Sequence, residues 1–410
     1  MRRSKRGHCL LTIAAGLSAA GAQAWAVDAS DLLVYSIGSV HVKPHLALAE
    51  QYDDNIFFRP SKPIPGFPFP PVEGDFLTVV SPGVNLRLGR TEANHITFDY
   101  TVDQSFYGNQ TAQDHRDHSF LLNTYLAGSR VKLEGNDRVQ FLSGILGGAL
   151  SQGQRVDRKV FSDDYRLEYG LSDKTSVYVD GAFEATDYKR GTSLYDENTI
   201  RGTGGFAFGI APKVRLFGEV HYGQSATSPN VLALADGPHA DLYGGYVGAS
   251  GDFNPRLRGS IKLGYEALKF SDGSKGSSSP VVEASLTQRF WERTVASLTY
   301  SRRNNISVQV GSSAYTADAI TLQLAQGITP DGRLQGVATG SVEHDQYTGA
   351  FASRHDLLYR AGFALNYSIQ LWLKASLLYD YEKFNSNHYF NTQPLSYDDN
   401  RVTIRLSIGY

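Results

Sequence analysis

The chain ends in "RVTIRLSIGY" (residues 401–410), and this stretch alternates without a break. Val402, Ile404, Leu406, Ile408 and Tyr410 fall on one side, with Arg401, Thr403, Arg405, Ser407 and Gly409 on the other. Strict period two makes a strand with one apolar and one polar face. The same pattern recurs in "HITFDYTV" (95–102), "KVRLFGEVHY" (213–222) and "LWLKASLLYDYE" (371–382). Eighteen such segments begin near residues 40, 75, 94, 117, 130, 159, 174, 197, 213, 240, 256, 280, 294, 316, 332, 355, 370 and 398. Their length suits a transmembrane strand of about 9–11 residues.

The connections between segments alternate in length. Short ones such as "GSR", "SDK", "AP", "NP" and "WER" take turns with long ones at 51–74, 143–157, 187–196, 225–239, 271–279, 304–314 and 385–397. Short periplasmic turns, longer extracellular loops and an even strand count characterise outer-membrane barrels. A soluble sandwich has no reason to lengthen every second loop. The predicted fold is therefore all-β, a transmembrane antiparallel up-and-down barrel of about 18 strands spanning residues 38–410. The stretch "VKLEGNDRVQFL" (131–142) alternates poorly and suggests a bulge.

Beyond residue 26 no apolar run approaches the ~18 residues a membrane helix needs. Before it, "MRRSKRGH" is basic, "CLLTIAAGLSAAGA" is apolar, and Ala24 and Ala26 are small. This is the pattern of a secretory signal peptide, expected over 1–26, with 27–37 as a periplasmic lead-in. Cys9 would leave with it, so no disulfide is expected. Loss of Arg2, Arg3, Lys5 and Arg6 leaves 35 basic residues against 41 acidic ones, a net charge of −6. That balance is unlike a nucleic-acid binder. The expected location is the bacterial outer membrane, with its lipid and lipopolysaccharide as neighbours.

The tetrapeptide Tyr-Asp-Asp-Asn occurs twice, at 52–55 and 397–400. In a closed barrel the first strand rises to the outside near Tyr52 and the last descends from near residue 398. Both copies then lie at the extracellular rim beside the seam, with Tyr52 and Tyr397 expected in the aromatic girdle. Asp and Asn are ordinary turn residues. A sharper alternative is that Asp53, Asp54, Asp398 and Asp399 share a divalent cation, calcium by the hardness of the oxygen ligands.

Parity assigns the lumen. Toward the periplasm it places Lys43, Arg87, Lys132, Arg215, Arg258, Lys262, Arg289, Lys374 and Arg405. Toward the outside it places Asp103, Asp180, Glu184, Glu219, Glu266, Glu283, Glu343, Asp380 and Glu382. The pore is thus expected to be basic below and acidic above, a field that concentrates anions at the periplasmic mouth. Arg–Glu ladders stiffening the wall are the plainer reading of individual pairs. Phe217 and Tyr178 also point inward, either to stack on sugar rings or to fill space. Eighteen strands enclose a water-filled channel. The proline-rich "RPSKPIPGFPFPPVE" (59–73) is expected to be stiff, as a constriction, a lid or an outward projection, and "VLALA" (231–235) as a plug or loop-packing element.

The stretches "HLALAEQYDDNIFF", "DFLTVVSPGVNLRL", "HITFDYTVDQSFY" and "DHRDHSFLLN" resemble the opening of the beta-barrel porin family associated with bacterial exopolysaccharide gene clusters. The resemblance covers roughly residues 40–125, and the proline-rich insertion departs from it. It implies a conduit moving a secreted polysaccharide, an anionic one by the basic mouth, beside a periplasmic polysaccharide export protein. It supplies no catalytic residues.

A passive diffusion porin for ions or sugars is the alternative. An enzyme is not expected. His41 and His45 face the lumen, whereas His115, His118, His239 and His388 are expected in loops, and no histidine pair has metal-ligand spacing. A lipid-cleaving serine site would need a base and orienting partner on one outward patch, and two lumen acids at a defined separation would be needed for glycoside hydrolysis. No cofactor is expected.

Overall fold

The computed structural model describes residues 34–60, 71–91, 94–150, 153, 155–189, 194–228, 237–271, 273, 276–309, 314–349, 352–390, 393–394 and 396–409. The expected signal peptide, most of the lead-in, residues 61–70 of the proline-rich stretch, "VLALA" and Tyr410 lie outside the described residues.

Eighteen long strands form the wall. They are β1 Val40–Asp53, β2 Asp75–Thr91, β3 Asn94–Tyr107, β4 His115–Ala127, β5 Val131–Ile145 and β6 Arg155–Gly170. Then come β7 Thr175–Tyr188, β8 Asp196–Ala211, β9 Val214–Ser228, β10 His239–Asn254, β11 Leu257–Phe270 and β12 Ser277–Trp291. The last are β13 Thr294–Ile306, β14 Ala314–Gly327, β15 Leu334–Tyr347, β16 His355–Gln370, β17 Leu373–Ser386 and β18 Tyr397–Ile408. Each is antiparallel to its neighbour in sequence, and β18 returns to pair with β1, from Leu46↔Ile408 to Asp53↔Arg401. The sheet closes on itself, which is how a β structure satisfies its backbone in lipid.

The seam is the shortest pairing in the wall, because β18 ends opposite Leu46. Below that point a short strand, Tyr35–Ile37, folds back and pairs with Val40–Val42 on the edge β18 leaves uncovered. An unpaired edge invites other chains, so the end of the lead-in completes the wall.

The two faces separate by parity. Outward positions carry exposed apolar side chains such as Leu216, Val247, Leu263, Leu322 and Ile404. An apolar surface of that extent fits lipid and not water. Register shifts fall beside the short turns, between Leu88/Thr91, Val214/Arg215, Asp252/Asn254, Arg289/Trp291 and Ser368/Gln370. At one of these irregular ends Gly251 has φ +132, and a Cβ there would meet the Lys213 carbonyl at 1.9 Å. Only glycine fits such a position.

Several local expectations change. Residues 131–142 contain no bulge: β5 holds register with both neighbours throughout. Its irregular pattern arises because polar Asp137 takes an outward position, where the Tyr165 hydroxyl donates to it at 2.6 Å. His115, His118 and His239 are strand residues, at the start of β4, within β4 and at the start of β10. His118 stacks on Tyr100 on the outer face, ring centroids 6.1 Å apart.

The wall geometry generates a paired test. Leu263→Arg on the lipid face is expected to reduce folding stability in bilayers by about 2–4 kcal/mol. Ser285→Arg, at similar height on the lumen face, is expected to cost much less. Urea titrations of folding into lipid vesicles measure both.

Candidate functional site: the lumen and its extracellular closure

Register with neighbours places all the sequence-assigned acids on the inward face, together with the nine assigned cations. The inward charges meet in ladders along the wall. Arg166 forms two hydrogen bonds to Asp180, at 2.7 and 2.8 Å, and lies over the Tyr178 ring at 4.2 Å. The Tyr178 hydroxyl donates to Glu219 at 2.9 Å, and Lys262 bridges Glu219 (3.3 Å) and Glu283 (2.9 Å). Arg303 Nε adds a contact to Glu283 at 2.9 Å. Buried His221 meets Glu266 at 3.1 Å. A second ladder joins Arg360 to Glu382 (2.9 Å) and Glu343 (3.8 Å), and Arg401 to Asp399 (3.1 Å) and Glu382 (3.8 Å).

These ladders dilute the expected axial separation of charge. Inward Arg158, Arg166, Arg201, Arg360 and Arg401 sit among the upper acids, and Glu134 and Glu168 sit among the lower bases. Sequence reasoning omitted these residues although their parity was available. Lys132 pairs with Glu134 at 2.8 Å, Arg215 with Glu168 at 2.5 Å, and Lys262 with Glu219 and Glu283, so three of the lower cations are neutralised. Lys43, Arg258, Arg289 and Arg405 make no ion pair among the described residues. Lys43, Arg258 and Arg289 lie within a few residues of a short turn, and Arg405 lies three residues before the end of β18. Tyr178 is buried beneath Arg166 and against Gly205, so it packs the wall and does not present a stacking face. Phe217 is half-buried over Gly248.

A cavity of about 770 Å³ follows the lumen wall past Asn123, Arg166, Arg201, Phe217, Lys262 and Glu283. Higher up, a separate cavity of about 260 Å³ lies between Gly147, Glu197, Tyr315, Asp345, Arg360 and Phe384. Inward-folded extracellular loops form part of its lining. Gly148–Leu150, in the β5–β6 connection, forms one short 3₁₀ turn. The Gly148 amide donates to the Tyr397 hydroxyl at 2.5 Å, and that hydroxyl donates in turn to Glu382. Gln309 Nε2, from the β13–β14 loop, donates to the Ala149 carbonyl. In an 18-strand ring β5 and β13 stand almost opposite, so this contact spans the mouth.

The bridge is anchored at its far end. Arg354 donates to the Gln309 side chain, pairs with Asp356 through Nε and Nη2, and stacks over Tyr347 at 4.3 Å. Arg354 and Asp356 are both buried. A small apolar cluster of Leu146, Val156, Tyr188, Leu194 and Val308 packs the opposing loops together. The Tyr195 amide also donates to the Val308 carbonyl at 2.8 Å. In the β17–β18 loop, burial and the nearby Arg354 hold His388 below its ordinary pKa, so it stays neutral at pH 7. The first loop contributes too: Asn55, Ile56 and Phe57 are buried beneath the rim, so its opening residues turn inward. The sequence signal for the bridge was the short apolar, Gly-rich "GILGGAL" (144–150), which does not fit a strand.

At the seam the two Tyr-Asp-Asp-Asn copies interlock. The Asp54 amide donates to the Asn400 carbonyl at 3.1 Å, and the Asn400 amide and Nδ2 donate back to the Asp54 carboxylate at 2.8 Å. Tyr52 stacks on Phe76 on the outer face, centroids 5.0 Å apart, as a girdle residue does. Tyr397 does not: it is inward, buried and bonded to the bridge. Asp398 points outward, bonded by Tyr381 at 3.0 Å and Lys383 at 3.4 Å, so it is separated from Asp53, Asp54 and Asp399.

The bridge makes a direct prediction. Gln309→Ala together with Tyr397→Phe removes two side-chain hydrogen bonds that hold residues 148–149 across the mouth. Single-channel conductance in planar bilayers is expected to rise several-fold. Unchanged conductance would show that the bridge does not limit flow.

A family model described as Putative beta-barrel porin 2 matches residues 195–410. No curated protein matches the sequence. Among solved structures, OccAB4 of Acinetobacter baumannii is 11% identical, with 90% of this chain and 98% of that one covered and a TM-score of 0.45. OccK3 (OpdO) of Pseudomonas aeruginosa is also 11% identical, covering 90% and 96% at a TM-score of 0.47. OpdK of the same organism, solved with vanillate, is 8% identical, covering 90% and 99% at 0.47. The family match falls on the second half of the chain, whereas the resemblance noted in the sequence lies at residues 40–125. The chain belongs to this beta-barrel porin family, and is a porin-like channel of the bacterial outer membrane.

Proposed function

We propose that the channel exports an anionic exopolysaccharide from the periplasm to the cell surface, working beside a periplasmic polysaccharide export protein. The observation that carries this reading is the set of inward cations toward the periplasmic end, Lys43, Arg258, Arg289 and Arg405, that make no ion pair among the described residues; the acid opposite Arg258, Asp252, pairs with Lys213 at 3.5 Å instead. Many of the other inward charges pair with one another, as Arg166 does with Asp180 and Arg360 with Glu382. Unpaired cations in a low-dielectric wall draw an acidic polymer toward the lumen. Lining charges of one sign also set selectivity.

The bridged mouth supports a gated conduit over an open sieve. A static field captures a polymer but does no net work, so a partner on the periplasmic side would drive the chain through. The rival is a passive diffusion porin, for which the bridge is only a constriction.

Two measurements separate the readings. Deleting the protein from its host is expected to remove polysaccharide from the cell surface and accumulate it in the periplasm. Surface polymer left unchanged, with slower uptake of small solutes, would leave the diffusion porin. Replacing Lys43, Arg258, Arg289 and Arg405 by Gln is expected to lower the anion-to-cation permeability ratio of the purified channel several-fold, and to reduce surface polymer without reducing the amount of protein in the membrane.

A further inference from the structure

We propose that Asp53, Asp54 and Asp399 bind a calcium ion that fastens β1 to β18 at the extracellular rim. Each residue offers one carboxylate oxygen, and these oxygens lie within 4.8 Å of one another. Two belong to the last residues of β1 and its exit, and the third to the start of β18, so a shared ion would cross the seam.

The second observation is the state of Asp399. It is fully buried at 0% exposure, and no donor reaches either of its oxygens in hydrogen-bond geometry. Arg401 approaches Oδ2 at 3.1 Å as an ion pair, but it also serves Glu382. The other two acids are better held. Asp54 receives the Asn400 amide and Nδ2, and Asp53 receives the Asn55 amide at 2.8 Å. Asp53 too is buried.

Charge decides what the cluster takes. Three carboxylates face one shared guanidinium, which leaves about two negative charges in a desolvated place. An unpaired buried charge is costly. A divalent cation cancels that excess and gives Asp399 a partner beyond the guanidinium it shares with Glu382. All the candidate ligands are hard oxygens, and calcium accepts carboxylates in flexible geometry with water completing its shell. The neighbouring outward Asp398 is excluded, because Tyr381 and Lys383 already hold it on the other face.

The competing way to relieve the repulsion is a proton shared between Asp53 and Asp399, and the experiment distinguishes the two. Calcium is titrated into the purified full chain in detergent after chelator treatment, by calorimetry, and thermal unfolding is followed with calcium or with chelator. Expected for the wild type is one calcium per chain, with a dissociation constant on the order of 10⁻⁴–10⁻³ M as in extracellular modules. The unfolding temperature is expected to rise with calcium concentration. Asp399→Asn should weaken binding at least tenfold and abolish the calcium-dependent rise, yet unfold in chelator no lower than the wild type. Asp398→Asn should bind as the wild type does. Equal calcium responses in wild type and Asp399→Asn would overturn the site. So would an unfolding temperature that rises on acidification and ignores calcium, which would assign the pair a shared proton.

Discussion

A β-sheet in lipid has no water to satisfy its edges, so everything in this molecule depends on β1 finding β18. That pairing is the shortest in the wall, running only from Leu46 to Asp53. Two devices compensate. Below, Tyr35–Ile37 covers the part of β1 that β18 does not reach. Above, the repeated Tyr-Asp-Asp-Asn interlocks Asp54 with Asn400 in both directions. The repetition is therefore a consequence of closure: two strands that run to the same rim, paired to each other, solve the same end problem with the same residues.

The wall in turn fixes the lumen chemistry. Paired residues on neighbouring strands point the same way, so a base on one strand meets an acid on the next. Arg166 and Asp180 are register partners on β6 and β7, as are Lys262 and Glu283 on β11 and β12. Such pairs are partly solvated, and each contributes modestly to stability. Their larger effect is on the field inside. A cation answered by an adjacent acid contributes little at a distance, so the field is set by those left over. Near the short turns these are cations, on β1 and β18 at one sector and on β11 and β12 at another.

Much of this was legible in the sequence because period two is unforgiving. A one-residue slip would turn the inward charges of a strand into lipid, so Lys43, Glu219 and Arg405 could be assigned from parity alone. The same rule would have turned Tyr397 inward and Asp398 outward, since 397 shares parity with Arg401. Treating the second Tyr-Asp-Asp-Asn as a girdle and loop start obscured that. Two kinds of information were not local. The charge balance required counting every inward residue, Glu134, Glu168 and Arg360 included. The closure of the mouth depends on loops from opposite walls meeting, and no spacing in "GILGGAL" states that Ala149 will receive Gln309.

The construction of that closure bears on how such a channel opens. The bridge is held by loop atoms and a few rim side chains: Ala149 to Gln309, Gln309 to Arg354, Arg354 to Asp356, and Gly148 to Tyr397. None of these contacts is a ladder hydrogen bond of the wall. The eighteen strand pairings therefore do not rely on these loop contacts. The buried Arg354 keeps its bonds to Asp356 and its place over Tyr347 whether or not Gln309 reaches it. A closure built this way separates the two demands on the protein. The strand pairings of the wall do not depend on the loop contacts that fill the mouth.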